Sequence, residues 1–283
     1  MKHNIRIIRK ETSPGTRGPS RGMCALQNAL RKANFPWLWI GGHLECGDIP
    51  WVWLYKDAQI ALQYNEFGWP FIIGPNVLFS NSYRPGFGKY EKDILDAENC
   101  RLMFTESEWY ASLIQSHCNH NEAPIVIWSY PIEPQPDGPL PAEFDLLIYL
   151  KDMSLGRESI RAAERWPKSH VVVYGTYNRD ALIEIARRSR ACLYLCNDDR
   201  GPLAAAEIAL AGCPLIGVER GCPWVLTPGL GVHLLHFGKL IEAEQEAMAM
   251  DRGAVREVAL KRFATERTVE IIKNALEPIT ESD

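Results

Sequence analysis

Short apolar runs alternate with amphipathic stretches along the whole chain, and this pattern predicts strands that alternate with helices. In the first half of the chain, the apolar runs predict strands at residues 1–10, 37–41, 51–55, 71–74, 101–105 and 125–128. In the second half, they predict strands at residues 144–150, 171–175, 191–195 and 215–218. Runs that are apolar throughout are typical of strands buried on both faces of a parallel sheet.

The segments between the strands predict helices. They are expected at residues 21–32, around 60–62, after 105, up to about 165, at 180–188, from about 203 to 211 and at 251–276. Ser20 and Thr105 are expected to cap two of them, because their hydroxyl oxygens accept hydrogen bonds from the free N–H groups of a first helical turn. Strand–helix–strand units in two blocks predict two Rossmann-like parallel-sheet α/β domains.

A proline-rich segment separates the two blocks. Residues 129–141 combine prolines with Gly138 and acidic residues, a composition typical of a linker. We therefore expect an N-terminal domain at 1–135, a C-terminal domain at 136–265, and a final helix at 266–283 that packs back on the N-terminal domain. Because ligands bind at the carboxyl ends of parallel strands, the site is expected in a cleft where the two sheets face each other.

Composition limits the classes of function. The 283 residues carry a net charge of −4, which gives no strong signal for nucleic acid or for an anionic membrane. No apolar run is long enough for a transmembrane segment. The eight cysteines form no Cys-x-x-Cys pair, so we expect free thiols, a cytoplasmic protein and no structural metal. The sequence indicates no particular oligomeric state.

The strongest chemical signal lies in residues 196–214, where an acidic turn and an Ala-rich helix follow a predicted strand. Leu203, Glu207 and Leu210 fall at i, i+4 and i+7, so Glu207 shares the apolar face of that helix. A carboxylate there needs a partner, because burying it unpaired is costly. A strand, a polar turn and a helix N-terminus also form a common phosphate-binding arrangement. The loop at 11–22, with Arg17 and Arg21, is either a second anion site or an ordinary surface loop.

These motifs occur in an order that resembles the donor-binding domain of GT-B-fold glycosyltransferases, specifically the retaining family 4. The likeness is carried by a basic loop at 151–157, Tyr174-Gly175, the 201–214 segment and a glycine-rich region at 221–231. The first half is similar through its Gly-rich loop and through residues 105–109. The resemblance implies two Rossmann-like domains that face each other across a cleft, with the acceptor on the N-terminal side and the donor on the C-terminal side.

The resemblance also implies roles for individual residues. The family marks its donor site with two glutamates seven residues apart: Glu207 matches the second, a ribose ligand, and Asp199 occupies the position of the first, near the transferred sugar. Lys151 and Arg157 match the basic pair that holds the diphosphate. The catalytic set is therefore Asp199, Lys151 and Arg157. The remaining donor-binding residues are Gly201, Pro202, Leu203, Ala204, Gly175, Tyr177, Gly18 and Arg21.

The implied reaction is transfer of a sugar from a UDP- or GDP-sugar to an unidentified acceptor, with retention and without a metal or other cofactor. Negative charge develops on the leaving diphosphate, so catalysis needs fixed cations and N–H groups there. Other functions stay open: a non-catalytic protein that binds a nucleotide sugar or a partner, and a nucleotide-sugar epimerase. At the residue level, Glu207 is alternatively ion-paired to a neighbouring arginine, and Asp198 and Asp199 are alternatively a metal-binding pair.

Overall fold

The computed structural model describes residues 3–8, 18–78, 87–118, 122–133 and 137–281. The chain divides into two compact units. Unit 1 comprises Met1–Pro131 and Thr265–Asp283, and unit 2 comprises Ile132–Ala264. The sequence-based prediction draws the corresponding boundaries after residues 135 and 265.

Unit 1 contains six parallel strands within its described part. They are β1 (Asn4–Ile7), β2 (Leu38–Ile40), β3 (Asp48–Leu54), β4 (Phe71–Asn76), β5 (Cys100–Thr105) and β6 (Ile125–Ile127). Their spatial order is β2-β1-β3-β4-β5-β6. The helices between them are α1 (Gly18–Ala33), α2 (Ala58–Glu66), α3 (Lys89–Leu95) and α4 (Glu108–Gln115).

Among its described residues, unit 2 contains five parallel strands, in the order β11-β10-β9-β7-β8. They are β7 (Phe144–Leu150), β8 (Ser169–Val173), β9 (Ser189–Leu195), β10 (Leu215–Gly217) and β11 (Gly231–His233). The helices are α5 (Gly156–Arg165), α6 (Arg179–Arg187), α7 (Leu203–Leu210), α8 (Leu240–Met248) and α9 (Arg252–Arg262). The chain then returns to unit 1 as α10 (Thr265–Thr280), where the Thr280 carbonyl accepts a hydrogen bond from the His3 N–H at 3.0 Å.

The prediction of two parallel-sheet α/β domains is confirmed. In unit 2, β8 lies on one side of β7 and β9 on the other, so the winding of the chain reverses between β7 and β9. The loops that leave the carboxyl ends of two such strands lead to helices on opposite faces of the sheet, and the crevice at this point is where open α/β sheets bind ligands. No helix in the described ranges combines the length and apolar character needed to cross a membrane, and all eight cysteines are free.

Two predicted helix caps are wrong. Ser107, rather than Thr105, caps α4, and its side chain accepts a hydrogen bond from the Tyr110 N–H at 3.4 Å. Thr105 is still paired with β6 as the last residue of β5, so it cannot begin the helix. Ser20 does not cap α1, because that helix already begins at Gly18.

The predicted long helix at 251–276 is wrong as well, because the structure has two helices there. Phe263 leaves helical geometry after α9, with φ −105° and ψ 14°. Its ring is buried in the core of unit 2 and lies edge-on to Trp224, with 5.4 Å between the ring centroids. No glycine or proline marks the break, so the packing of Phe263 determines where the helix ends. The sequence also gave no indication of α3 or of β11.

Arg252 joins several backbone segments of unit 2. Its guanidinium donates hydrogen bonds to the carbonyls of Gly212 (3.2 Å), Leu140 (2.7 Å) and Ala186 (3.4 Å). These carbonyls lie at the ends of α6 and α7 and in the segment before β7, where the backbone lacks helical partners. Burial lowers the pKa of Arg252. One side chain therefore supplies donors to the Gly212 and Leu140 carbonyls and a second donor to the Ala186 carbonyl, which also accepts from the Arg188 N–H.

Replacing Arg252 by Ala is expected to lower the free energy of unfolding by about 2–4 kcal/mol, because it removes the side-chain donor from several carbonyls at once. Arg190→Ala is the matched control: that side chain is exposed, and its ion pair with Asp145 spans 3.7 Å. Surface pairs of this kind contribute about 0–1 kcal/mol. Urea unfolding of the two variants measures the difference, and equal losses would contradict this role for Arg252.

Candidate functional site

The carboxyl ends of β7 and β9 hold the candidate site. The two strands pair in register up to Leu150 and Leu195. Beyond that point, the N–H groups of Lys151 and Asp152 both donate to the Leu195 carbonyl, at 2.9 and 3.1 Å. The loops at 151–155 and 196–202 therefore leave the sheet side by side, at the reversal of strand order.

Lys151 and Asp199 form an ion pair between these two loops, with the Lys151 Nζ bonded to the Asp199 Oδ2. The side chains are partly buried, with 28% and 14% of their surfaces exposed. Burial, the largest single influence, would lower the pKa of Lys151, but the charge and hydrogen bond of Asp199 together with Cys196 and Tyr174 outweigh it, so the pKa is raised. Lys151 is therefore a fixed cation at neutral pH.

The acidic turn is held in place by the loop at 218–222. The Asp199 N–H donates to the Arg220 carbonyl at 2.9 Å, and the Arg220 guanidinium pairs with Asp198 at 3.2 Å. A Cβ added to Gly221 would lie 1.8 Å from the carbonyl oxygen of Cys196, so the two backbones touch without room for a side chain. Asp198 and Asp199 thus have different partners. In the described part of the chain, no group of three or more metal-ligating side chains lies together.

Four tyrosines surround the ion pair. Tyr149 and Tyr194 stack at 4.8 Å, and the hydroxyls of Tyr149 and Tyr177 lie 2.6 Å apart. The ring of Tyr174 is 47% exposed, and its centroid lies 5.5 Å from the Lys151 Nζ. Such a cation–aromatic contact further stabilises the charge on Lys151. Only Tyr177 among them is a predicted donor-site residue. Tyr149 and Tyr194 were missed because they lie inside apolar runs that predict buried strands.

Glu207 lies in α7, which is buried on all sides from Ala205 to Leu210 rather than along one apolar face, and 4% of its side chain is exposed. Its Oε1 accepts a hydrogen bond from the Nε of Arg179, the first residue of α6, at 2.7 Å. Arg179 also donates to the Glu133 carbonyl at 3.1 Å. These residues line a shallow pocket together with Ile183 and Leu210. The ion pair with a neighbouring arginine, one of the alternatives left open by the sequence, is therefore present.

The other predicted residues of the C-terminal loops are placed as follows. Pro202 directly precedes α7, and its carbonyl accepts a hydrogen bond from the indole of Trp224 at 3.0 Å. Gly175 has φ +85° in the turn after β8, a conformation that L side chains rarely adopt. Arg157 is exposed in the first turn of α5, where the described residues offer it no ion pair. Three more predicted residues lie around the start of α7: Gly201, Leu203 and Ala204.

Gly18 and Arg21, the predicted donor-binding residues of the first half, belong to unit 1. Both lie in the first turns of α1. Arg17, the other arginine of that predicted loop, lies outside the described residues. A Cβ added to the nearby Gly22 would lie 2.7 Å from the ring of Tyr130, so α1 packs closely on that ring. The structure therefore brings Lys151, Asp199 and Tyr177 into one cluster and describes Gly18 and Arg21 only within their own unit.

Neither a protein-family model nor a curated protein sequence matches the chain. Solved structures do match. A sucrose-phosphate synthase from Thermosynechococcus elongatus has a TM-score of 0.69 at 13% identity, over 98% of this chain and 99% of that one. The Anabaena protein HepE in complex with UDP has 0.60 at 9%, over 97% and 100%. AviGT4, a glycosyltransferase of avilamycin A biosynthesis, has 0.52 at 12%, over 98% of each chain. At these identities the likeness establishes the fold, and the chain has the GT-B fold.

The Arg179–Glu207 pair is expected to stabilise unit 2. Arg179→Met removes the cation from a buried carboxylate, and we expect the free energy of unfolding to fall by about 1–3 kcal/mol. Glu207→Met added to Arg179→Met removes the carboxylate as well and is expected to recover most of the loss. Urea unfolding of both single variants and the double variant measures the coupling. Additive losses would show that the two side chains do not depend on each other.

Proposed function

We propose that this protein is a glycosyltransferase whose nucleotide-sugar donor binds at the carboxyl edge of the unit 2 sheet. The observation that carries the proposal is the Lys151–Asp199 pair at the reversal between β7 and β9. In this pair, Lys151 is a cation that can bind phosphate and Asp199 is a carboxylate that can bind sugar hydroxyls. The pair lies at the position where α/β sheets bind nucleotides. The GT-B fold of the chain supports a sugar donor over other nucleotides.

The diphosphate of the donor is placed between Lys151 and the start of α7. Pro202 offers no N–H. The N–H groups of Leu203 and Ala204 begin helix α7, and the first N–H groups of a helix have no carbonyl of the same helix to bond to. Together with the helix dipole they favour an anion. The exposed guanidinium of Arg157, in the first turn of α5, supplies a second cation. Fixed charges of this kind stabilise the leaving diphosphate as its negative charge grows.

Donor binding requires an exchange of partners. In the free protein, Asp199 already neutralises Lys151. The diphosphate takes over Lys151, which releases the Asp199 carboxylate to accept hydrogen bonds from the hydroxyls of the transferred sugar. The side chain of Asp199 is shorter than that of glutamate, so its reach depends on where its backbone lies. The Arg220 carbonyl fixes that backbone by accepting a hydrogen bond from the Asp199 N–H. Asp199 therefore acts on both affinity and turnover.

Glu207 is assigned to the ribose, as the resemblance to family 4 implies. Arg179 occupies one of its oxygens, so the ribose hydroxyls share the carboxylate with the guanidinium. In this arrangement Arg179 orients Glu207. Tyr177, Gly175 and Gly201 line the nucleoside side of the site in the proposal. Gly18 and Arg21 of unit 1 keep their predicted donor-binding role.

The finer assignment follows the retaining family 4: transfer with retention and without a metal or other cofactor. A cytoplasmic location is proposed on a separate ground, the eight cysteines without a Cys-x-x-Cys pair. UDP is the first nucleotide to test, because the similar HepE structure contains it, and GDP is the second. The acceptor is assigned to unit 1. A retaining mechanism in which the leaving phosphate helps to deprotonate the acceptor needs no separate base.

Lys151→Met is expected to weaken UDP or GDP binding by about tenfold or more, because hydrogen bonds to charged groups contribute about 1.5–3 kcal/mol. Isothermal titration calorimetry with each nucleoside diphosphate measures the change. Lys168→Met is the matched control, since Lys168 is an exposed lysine of the same unit without an ion pair in the described ranges. Equal affinity in the wild type and in Lys151→Met would refute the assignment of Lys151.

Asp199→Asn is expected to lower donor turnover by about 100-fold. Its affinity for the bare nucleoside diphosphate is expected to be unchanged or tighter, because Lys151 loses its competing partner. Release of diphosphate from a panel of UDP- and GDP-sugars, with EDTA present and absent, measures both turnover and metal dependence. We expect EDTA to have no effect. A wild-type protein that binds donors but turns over none of them with any acceptor would instead be the non-catalytic binder.

A further inference from the structure

Two tyrosines lie directly beneath the Lys151–Asp199 pair. Tyr149 and Tyr194 are the penultimate residues of β7 and β9, and the parallel pairing sets them opposite each other. Their rings stack at 4.8 Å with an angle of 11° between the planes. This stacking on adjacent strands fixes both rings, so each phenol has a defined direction.

The two hydroxyls contact different loops. The Tyr149 hydroxyl shares a hydrogen bond with the hydroxyl of Tyr177, in the loop between β8 and α6, at 2.6 Å. The Tyr194 hydroxyl donates to the Asp199 Oδ2 at 3.5 Å. A continuous chain of contacts thus runs from Tyr177 through Tyr149 and Tyr194 to Asp199. It links two loops that both leave the carboxyl edge of the sheet.

The hydroxyl of Tyr194 donates its hydrogen bond to Asp199. Its ring is 2% exposed, and a buried phenol needs a hydrogen-bond acceptor. Burial raises the pKa of Tyr194 well above its ordinary value, and the charge of Asp199 adds to the shift. The phenol is therefore protonated and acts as a donor. In the described part of the chain, the acceptor that the structure provides is the Asp199 carboxylate.

We propose that Tyr194 is a positioning residue that holds the Asp199 carboxylate in its orientation. Tyr149, which is hydrogen-bonded to Tyr177, stacks on Tyr194 and holds its ring in place. Oδ2 of Asp199 receives the Lys151 ammonium and the Tyr194 hydroxyl from two directions. When Lys151 turns to the diphosphate, the phenol contact remains and keeps Asp199 aimed at the sugar. The proposal rests on the proposed function for the role of Asp199, and it adds the residue that orients this short side chain.

The test is a double-mutant cycle between Tyr194→Phe and Asp199→Asn. Phenylalanine keeps the ring and its stacking and removes only the hydroxyl. In the wild-type background, Tyr194→Phe is expected to lower kcat for donor turnover about tenfold with KM changed less than twofold. In the Asp199→Asn background it is expected to have no further effect on kcat, because the carboxylate that it orients is gone.

Tyr110→Phe is the matched control. Tyr110 is a buried tyrosine of unit 1 whose hydroxyl donates to the Leu78 carbonyl at 3.4 Å, and its loss is expected to leave kcat unchanged. Tyr149→Phe is expected to lower kcat in the same direction as Tyr194→Phe but by less. A Tyr194→Phe effect of the same size in both backgrounds, or one no larger than that of Tyr110→Phe, overturns the proposal.

The same cycle in urea unfolding needs no substrate, so it separates this proposal from the proposed function. We expect the unfolding equilibrium constants of the single and double variants to depart from additivity by about threefold or more. If the wild type turns over no donor but this coupling is present, the proposed function fails and the positioning of Asp199 by Tyr194 stands. Additive unfolding effects overturn the positioning role whether or not the protein is a transferase.

Discussion

The parallel pairing of β7 with β9 is the constraint on which the candidate site depends. It sets Leu150 beside Leu195, so that two loops distant in sequence leave the sheet together. The same register stacks Tyr149 on Tyr194 beneath those loops. A slip by one residue would turn one of these rings to the opposite face of the sheet, since successive strand side chains alternate. Sheet register, ring stacking and the ion pair are therefore one structural unit.

Carboxylates of this region are paired with cations before any ligand arrives. Asp199 is held by Lys151, Asp198 by Arg220, and Glu207 by Arg179. An anionic ligand therefore replaces an existing partner instead of filling an empty positive field. Its net gain is the difference between two charge-assisted interactions, which is smaller than either alone. Selectivity then depends on geometry, on how well a ligand uses both the released carboxylate and the released cation.

Much of the unit 2 fold could be predicted from the sequence, because its strands are apolar on both faces. Residues 144–150 were predicted as a strand and are β7. The break at Phe263 and the cap at Ser107 could not be predicted, since each depends on packing or pairing with distant residues. At the site, Lys151, Asp199 and Glu207 were named, but the pairing of Lys151 with Asp199 and of Glu207 with Arg179 was not predicted. Because the chain has 31 arginines and lysines and 35 acidic residues, the sequence alone does not show which cation pairs with which carboxylate.

The contact at Gly221 has a consequence for recognising relatives. Any chain that keeps the 196–199 turn against the 218–222 loop needs a residue without a side chain at that place, because even one methyl group would meet the Cys196 carbonyl. With a larger residue the two loops must separate, and Asp199 loses the carbonyl that holds its N–H. At identities near 10%, where overall similarity carries little signal, this glycine together with the Lys151 and Asp199 positions distinguishes chains that can build the same site from those that share only the fold.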